Sequence, residues 1–129
     1  MFQTYLFVML AGALGTGARM GLSNFFAVKY PVFPLGTMIV NITGCLVIGF
    51  LYAVTGPNSS FAVPPLARQT AMIGFCGGYT TFSSFSLQTL TLLNDGEWLY
   101  AGLNIVLSVV LCLIGTWLGL TLGNLAAAR

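Results

Sequence analysis

The stretch Gly74–Ser86, GFCGGYTTFSSFS, decides how the rest of this chain is understood. It lies inside a long apolar run, contains the adjacent glycines Gly77 and Gly78, and has no ionisable acid or base. Each glycine weakens a helix by roughly 1 kcal/mol, so the stretch predicts a helix that is broken near residues 76–81. In a bilayer, irregular backbone is tolerated only where protein buries it or where it lines a water-filled cavity. The stretch therefore predicts a site for an ion or solute.

The composition places this broken helix in a membrane. The chain has 129 residues, of which 57% are hydrophobic and only 5% are charged, whereas a soluble domain has about 25% charged residues. A helix needs about 20 residues to cross a membrane, so we expect a single all-α domain over residues 1–129, with about four crossings. The N-terminus lacks the positive region of a secretory signal, so the first apolar run is predicted to be a retained helix. The predicted helices cover about residues 4–27, 35–55, 66–94 (with the break) and 98–126.

The basic residues do not favour one orientation of these helices. An even number of crossings puts both termini on one face, together with Arg68 and Arg129. The opposite face has Lys29, and also Arg19 if that side chain extends toward it. Positive residues normally mark the cytoplasmic face. Here each face has two of them. This balance leads to the hypothesis that the chain inserts both ways up; the alternative is that one face wins by a small margin.

The ionisable residues exclude several classes of function. The chain has no histidine, and its carboxylates, Asp95 and Glu97, share one short polar turn. Acid–base catalysis needs titratable groups close to a substrate, so we expect no enzyme. A small multidrug exporter would need a carboxylate within the membrane, which this chain lacks. The net charge of +2 is too small to indicate a nucleic-acid partner. Cys45, Cys76 and Cys112 each lie in an apolar run and are interpreted as buried small hydrophobes.

A few polar residues interrupt the apolar helices and are candidates for a functional site. Asn41 lies in the second helix, where an unpaired buried amide would cost on the order of 1–3 kcal/mol; it either joins helices or donates to a ligand. Arg19 is the only charge that could lie within a span, so it should anchor at the surface, meet carbonyls or bind an anion. Asn104, Ser108 and Cys112 form a stripe on the fourth helix, which is either an interhelical hydrogen-bonding seam or a solvated track.

Two sets of glycines have the spacing of close helix contacts. Gly115, Gly119 and Gly123 repeat every four residues on the fourth helix. Small residues at this spacing allow two helix backbones to approach closely in a membrane. Gly17 and Gly21 of the first helix have the same spacing, and we expect them to pack in the same way.

The residues that follow the predicted break favour an anion. Phe82 and Phe85 are three residues apart and share one face of a helix. The edges of their rings carry partial positive charge, and the start of the half-helix presents a positive dipole end. Such weak, uncharged attraction suits an ion that must enter and leave. Free carbonyls at residues 76–80 could instead hold a cation, with a second copy doubling the number of ligands. Hydroxyls surround the rings at Thr80, Thr81, Ser83, Ser84 and Ser86.

Three segments resemble one known family, the Fluc (CrcB) fluoride channels. They are GTGAR at residues 15–19, PLGTMIVNITGC at residues 34–45 and the Gly74–Ser86 stretch, and the match covers the whole four-helix layout. The resemblance implies a fluoride-selective channel in the bacterial inner membrane that lets fluoride leave the cytoplasm and confers resistance. It also implies a dual-topology homodimer of antiparallel subunits, with two pores at their interface.

The resemblance also implies roles for individual residues. The backbone carbonyls of Gly77 and Thr80 match the ligands of a central sodium ion, two from each subunit. Arg19 matches the arginine of the family's first helix. The implied fluoride pathway runs past Asn41, Thr81, Phe82, Ser83, Ser84, Phe85 and Ser108, with the edges of the two phenylalanine rings facing the anion.

The chain departs from the family pattern at a few positions. Gln88 stands where many members have a glutamate, and Ser84 replaces a common threonine. Asn104 and Cys112 stand where a tyrosine and a serine or threonine are frequent, so Ser108 is the firmer match on the fourth helix. A scaffold subunit that transports nothing is the remaining alternative, and it would not need hydroxyls placed among phenylalanines.

Overall fold

Helices form all the regular structure in the part of the chain that the computed structural model describes, which is residues 1–56, 59 and 61–128. Arg129, which entered the charge balance above, lies outside these residues. The elements are α1 (Phe2–Lys29), α2 (Leu35–Val54), α3 (Pro65–Gln69), a π-helix (Thr70–Cys76), α4 (Gly77–Tyr79), α5 (Phe82–Asn94) and α6 (Trp98–Ala127).

Three of these helices are long and apolar enough to cross a membrane: α1, α2 and α6. In their most apolar windows only 11%, 33% and 17% of the residues, respectively, are buried inside the chain. The chain exposes 8118 Å², compared with about 6,600 Å² for a soluble monomer of its mass. Apolar surface of this extent needs lipid or another protein to cover it, as expected for a multi-pass membrane protein.

The segment from residue 65 to residue 94 is divided into shorter helical pieces. Thr80 (ψ 158°) and Thr81 (φ −153°) are extended and separate α4 from α5. The interruption is narrower than the predicted 76–81, because Gly77 and Gly78 are themselves helical. With the segment divided in this way, the described residues contain no fourth helix of membrane-spanning length.

Close packing explains why a glycine is needed next to the interruption. A Cβ added to Gly78 would collide with the carbonyl oxygen of Gly12 on α1. A Cβ added to Gly74 would lie 2.8 Å from the carbonyl oxygen of Val8, one turn earlier on α1. A Cβ added to Gly77, in contrast, would meet only the Met72 carbonyl oxygen, at an ordinary contact distance of 4.0 Å. The main role of Gly78 is therefore to allow backbone contact with α1. It does not break the helix in which it lies.

The glycines of α6 pack against α2, as their spacing predicts. A Cβ on Gly115 would lie 3.1 Å from the carbonyl oxygen of Ile42, and one on Gly123 would lie 2.8 Å from that of Phe50. Residue numbers increase in the same direction along the two helices at this contact, so α2 and α6 run parallel. The same expectation for the α1 pair at positions 17 and 21 is wrong within this chain, because neither glycine has an atom within 4 Å of an added Cβ.

The two ends of the molecule can be assigned from their neighbours. Residues 30–34, which connect α1 to α2, line the same hollow as the α5–α6 turn at residues 95–97. Leu66 instead shares a hollow with Phe7, near the start of α1. The segment 65–94 therefore begins at one end of the bundle and finishes at the other.

Substitution of Gly119 tests the α2–α6 contact. A Cβ at this position would collide with the carbonyl oxygen of Leu46, so Gly119→Leu should push α6 away from α2 and destabilise the protein by at least the 1–3 kcal/mol that is typical of overpacking. Gly102→Leu is the matched control on the same helix, because its Cβ meets nothing within 4 Å. Gel filtration of detergent-solubilised protein after heating gives the comparison. Equal loss of folded protein for the two variants would contradict this packing.

Candidate functional site

The side chain of Asn41 holds the interrupted backbone in place. The Thr81 N–H donates to Asn41 Oδ1 at 2.8 Å, and Asn41 Nδ2 donates to the Thr81 carbonyl at 3.0 Å. One amide therefore satisfies both backbone groups of a residue that belongs to no helix. An unpaired backbone group in an apolar setting would be costly. Of the two roles considered for Asn41, the structure shows the interhelical one, and the second Nδ2 hydrogen stays available for a ligand.

Hydroxyl groups cap the N-terminus of α5. Thr81 is the N-cap residue: its Oγ1 accepts the Ser84 N–H at 3.2 Å and its hydroxyl donates to Ser84 Oγ at 3.1 Å. Ser83 Oγ lies 3.2 Å from the same Thr81 oxygen. A side-chain oxygen at this position stabilises a helix by capping a free N–H. The predicted site residues Ser83 and Ser84 thus serve the cap in this structure.

Two carbonyls are released at the same place. In a regular helix the Gly77 carbonyl would accept from the N–H of Thr81, but that N–H is bonded to Asn41. The Thr80 carbonyl would accept from the N–H of Ser84, but that N–H is bonded to the Thr81 side chain. Both oxygens therefore lack their helical partners. Hard cations such as Na⁺ prefer oxygen ligands of this kind, so Gly77 and Thr80 fit the sodium ligands implied by the resemblance.

We call residues 65–94, which the extended Thr80 and Thr81 interrupt, the broken segment. A groove of about 410 Å³ lies between it and helices α2 and α6. None of the described residues that line it is charged. Ser83, Ser84 and Arg19 are not part of its lining. The predicted site residues that it brings together are Asn41, Gly77, Thr80, Thr81, Phe82, Phe85 and Ser108.

The two phenylalanines of the groove differ in exposure. Their ring centroids are 5.3 Å apart, and the ring planes are tilted by 49°. Phe85 is 9% exposed, whereas Phe82 is 77% exposed in the single chain. The groove therefore has one ring fixed in its wall and one at its open side.

The polar stripe of α6 has two different roles along its length. Asn104 is 1% exposed, and its Nδ2 donates to Thr89 Oγ1 of α5 at 2.9 Å. Its Oδ1 accepts from Ser108 Oγ at 3.3 Å. Asn104 thus provides the interhelical bond, whereas Ser108 and Cys112 line the groove. The interhelical alternative therefore holds at Asn104, and the solvated track stays a prediction for Ser108 and Cys112.

Arg19 lies on α1 and not in the groove. Its side chain is half-buried, and its Nε is buried without a hydrogen-bond partner. It lies between Gly15, which packs on the backbone of Tyr79, and Ser23, which packs on Gly36. Arg19 therefore occupies the α1 face that meets the broken segment, although the structure gives it no ion-pair partner among the described residues.

A second hollow of about 630 Å³ lies at the end of the molecule where residues 30–34 meet the α5–α6 turn. Asp95, Glu97 and Gln88 line it. The Oε1 of Gln88 is buried without a hydrogen-bond partner. Because Gln88 is one turn beyond Phe85 on α5, the second hollow lies beyond the groove along the same helix, and we call it the outer hollow.

The sequence does not reveal several residues that build the groove. Its lining includes Cys45 and Cys76, which were predicted only as separate buried residues, and Cys112, which was also placed in the stripe of the fourth helix. Thr16 donates to the Gly78 carbonyl at 3.3 Å. A sequence pattern gives the face of one helix but does not show which faces meet, so these contacts could not be predicted.

Comparison with known proteins identifies the family. Residues 6–120 match the family model described as CrcB-like protein, Camphor Resistance (CrcB). The chain belongs to the CrcB family. A relative named Fluoride-specific ion channel FluC, from Rhodospirillum rubrum, is 55% identical over 118 residues, which cover 91% of this chain and 92% of the relative. Relatives with the same name from Methylocella silvestris (50% identical over 116 residues, 89% and 88% covered) and Geotalea daltonii (44% over 128 residues, 98% of each) agree.

Membership of the CrcB family confirms the resemblance noted from the sequence. These relatives are named as ion channels, which are not enzymes, so the expectation that the chain is not an enzyme is also confirmed. Together with the three apolar helices of membrane length, the family identifies a multi-pass membrane protein.

Replacing Asn41 should damage the broken segment. Asn41→Ala removes both hydrogen bonds to Thr81, and each unpaired backbone group costs about 1–3 kcal/mol. Asn124→Ala is a matched control, because this asparagine lies on the exposed surface of α6. Thermal unfolding in detergent should show a clear loss of stability for Asn41→Ala only. Two variants that unfold at the same temperature would show that the amide does not support the interruption.

Proposed function

We propose that this chain is a fluoride-selective channel that lets fluoride leave the cytoplasm and so lowers its toxicity. One observation supports this most directly: the groove combines an interrupted backbone, one amide, hydroxyls and two phenylalanines, and no charged side chain lines it within the described parts of the chain. The CrcB relatives that carry the name of a fluoride-specific ion channel support the choice of ion.

The physical basis is attraction without a full countercharge. Phe85 and Phe82 offer ring edges, which are weakly positive, and the second N–H of the Asn41 amide offers a donor. The N-terminal end of α5 adds partial positive charge at the same place. Thr81 and Ser108 complete the proposed pathway with hydroxyls, while Ser83 and Ser84 hold Thr81 in position. A site that attracts an ion without a fixed opposite charge allows it to leave again.

The proposed channel has four crossings. The segment 65–94 begins near the start of α1 and ends at the outer hollow, so it passes from one end of the bundle to the other. A parallel arrangement of α2 and α6 requires one crossing between them, and this segment supplies it. The interruption at Thr80 and Thr81 then lies within the membrane, where Asn41 makes it tolerable.

The proposed assembly is a dual-topology homodimer of antiparallel subunits in the bacterial inner membrane. In the single chain the groove is open and Phe82 is 77% exposed, so a second copy in the inverted orientation could close it. A two-fold interface duplicates every contact, which would give two pores. Lipid covers the remaining apolar faces.

In the proposed assembly, a structural sodium ion is held between the two subunits at the dimer axis. Gly77 and Thr80 would hold the ion with their released carbonyls, and the same two carbonyls from the inverted copy would complete four ligands. Gly77 is exposed in the single chain, as a residue at the dimer axis should be. Arg19, on the α1 face that meets this segment, supplies positive charge near it and anchors α1.

Efflux from liposomes tests the proposed function. Purified protein is reconstituted into vesicles loaded with fluoride, and release is followed with a fluoride-selective electrode. The proposal predicts rapid release above that of protein-free vesicles, and much less release of chloride under the same conditions. Vesicles that contain folded protein at adequate density and leak no faster than empty ones would favour the scaffold alternative.

Removal of both groove rings tests the role of their edges. The double variant Phe82→Ile, Phe85→Ile roughly keeps the bulk of the side chains but removes the positive edges, so fluoride efflux should fall at least tenfold. The matched control is Phe25→Ile, Phe26→Ile, because this pair also makes an edge contact, at 5.3 Å between centroids, but lies outside the groove. Unchanged efflux in the folded groove variant would argue against the ring-edge mechanism.

Substitution at position 80 separates the main chain from the side chain at the sodium site. Thr80→Ala removes a hydroxyl that donates to the Cys76 carbonyl at 3.0 Å, but it keeps the carbonyl proposed as the ligand. Retention of ²²Na⁺ through gel filtration should therefore match that of the wild type and of the control Thr43→Ala. A folded Thr80→Ala protein that retains no sodium would assign the ligand to the side chain instead.

Reporters fused to the C-terminus test dual topology. The nearly balanced basic residues predict two populations of molecules. One has both termini in the cytoplasm, and the other has both termini on the opposite side of the membrane. Lys29→Gln removes one charge from the face opposite the termini and should shift the population toward termini in the cytoplasm. A single fixed orientation in both proteins would exclude dual insertion.

A further inference from the structure

All three cysteines of the chain line one groove, although they come from different helices. Cys45 belongs to α2, Cys76 ends the π-helix and Cys112 belongs to α6. All three are free thiols. The fluoride pathway proposed above gives none of them a role, so their convergence needs a separate explanation.

Two of the three thiols form a pair. Cys45 and Cys112 are half-buried, whereas Cys76 is 1% exposed. Cys45 and Cys112 lie where α2 and α6 pack together, and both line the groove. This contact is close, because a Cβ on Gly115, one turn beyond Cys112, would lie 3.8 Å from the Cβ of Cys45. No group of three or more His, Cys, Asp or Glu side chains that could hold a metal occurs among the described residues, so a metal here would have at most two such ligands.

We propose that Cys45 and Cys112 form a two-thiol site for one soft metal cation, and that the bound cation obstructs the groove. Thiolates select soft cations, and d¹⁰ cations such as Cu(I), Ag(I) and Hg(II) accept two sulfurs in line without a third ligand. The ligands must lose their protons on binding. With HgCl₂, two S–H bonds break, two S–Hg bonds form, and two protons leave with two chlorides, so no oxidant is needed.

The position of the pair explains the obstruction. Cys45 lies one helical turn beyond Asn41 on α2, and Cys112 lies one turn beyond Ser108 on α6. The pair therefore faces the groove next to two residues of the proposed pathway. A heavy cation joined to both walls would occupy part of a groove of only about 410 Å³. This second half of the inference rests on the proposed function, whereas metal binding itself does not.

Mass spectrometry of the purified, detergent-solubilised protein tests the site directly. After treatment with one equivalent of HgCl₂, the wild type and Cys76→Ala should carry mercury that replaces two protons of one chain. Cys45→Ala and Cys112→Ala should carry only single-thiol adducts that keep a chloride. A two-thiol adduct in either of these variants, its absence from the wild type, or mercury that links two chains would overturn the proposed pair.

Fluoride efflux from proteoliposomes tests the obstruction. Each protein is compared with itself before and after addition of HgCl₂. Efflux should fall at least tenfold for the wild type and Cys76→Ala, and should keep at least half of its rate for Cys45→Ala and Cys112→Ala. Equal loss in all four proteins, or loss in none, would overturn the obstruction. If no protein released fluoride at all, the channel function would fail, while the mass measurement would still decide the metal site.

Discussion

The pair of hydrogen bonds between Asn41 and Thr81 is the constraint on which the rest of the site depends. An interrupted helix in an apolar environment leaves backbone groups without partners, and each of them is expensive. Asn41 satisfies both groups of Thr81 with one side chain, at 2.8 and 3.0 Å. The Gly77 carbonyl loses its helical partner as a direct result. The same two bonds therefore stabilise the interruption and leave the Gly77 carbonyl free for the ion that we propose.

The glycines next to the interruption have different roles: some allow close helix packing, and one leaves its carbonyl accessible. Gly78 must be a glycine because α1 approaches it, backbone to backbone, at Gly12. Gly77 has room for a Cβ, with only the Met72 carbonyl oxygen at 4.0 Å, and its carbonyl loses the Thr81 N–H to Asn41. On α2, Gly44 makes room for the side chain of Thr80. Glycine thus brings three helices together at the point where the backbone leaves the helical path.

The sequence predicts the helical fold more completely than it predicts the candidate ion site. Composition gives the membrane class, because so few charged residues cannot cover a soluble surface, and the length of the apolar runs gives the helices. The Gly74–Ser86 stretch indicates the place of the interruption but not its extent, since the position of Thr81 depends on Asn41, 40 residues away. The same limit explains the misjudged α1 glycines at positions 17 and 21 and the three cysteines. A helix pattern shows which residues share a face, and only the tertiary structure shows what that face meets.

The central claim is that uncharged groups with weakly positive sides attract the anion in the groove. Difference density between fluoride-soaked and fluoride-free crystals of the assembled protein tests it most directly. The account predicts a peak within contact distance of the ring edges of Phe82 and Phe85 and of the Asn41 amide. Rings turned outward to lipid, with no fluoride-dependent density near them, would contradict it.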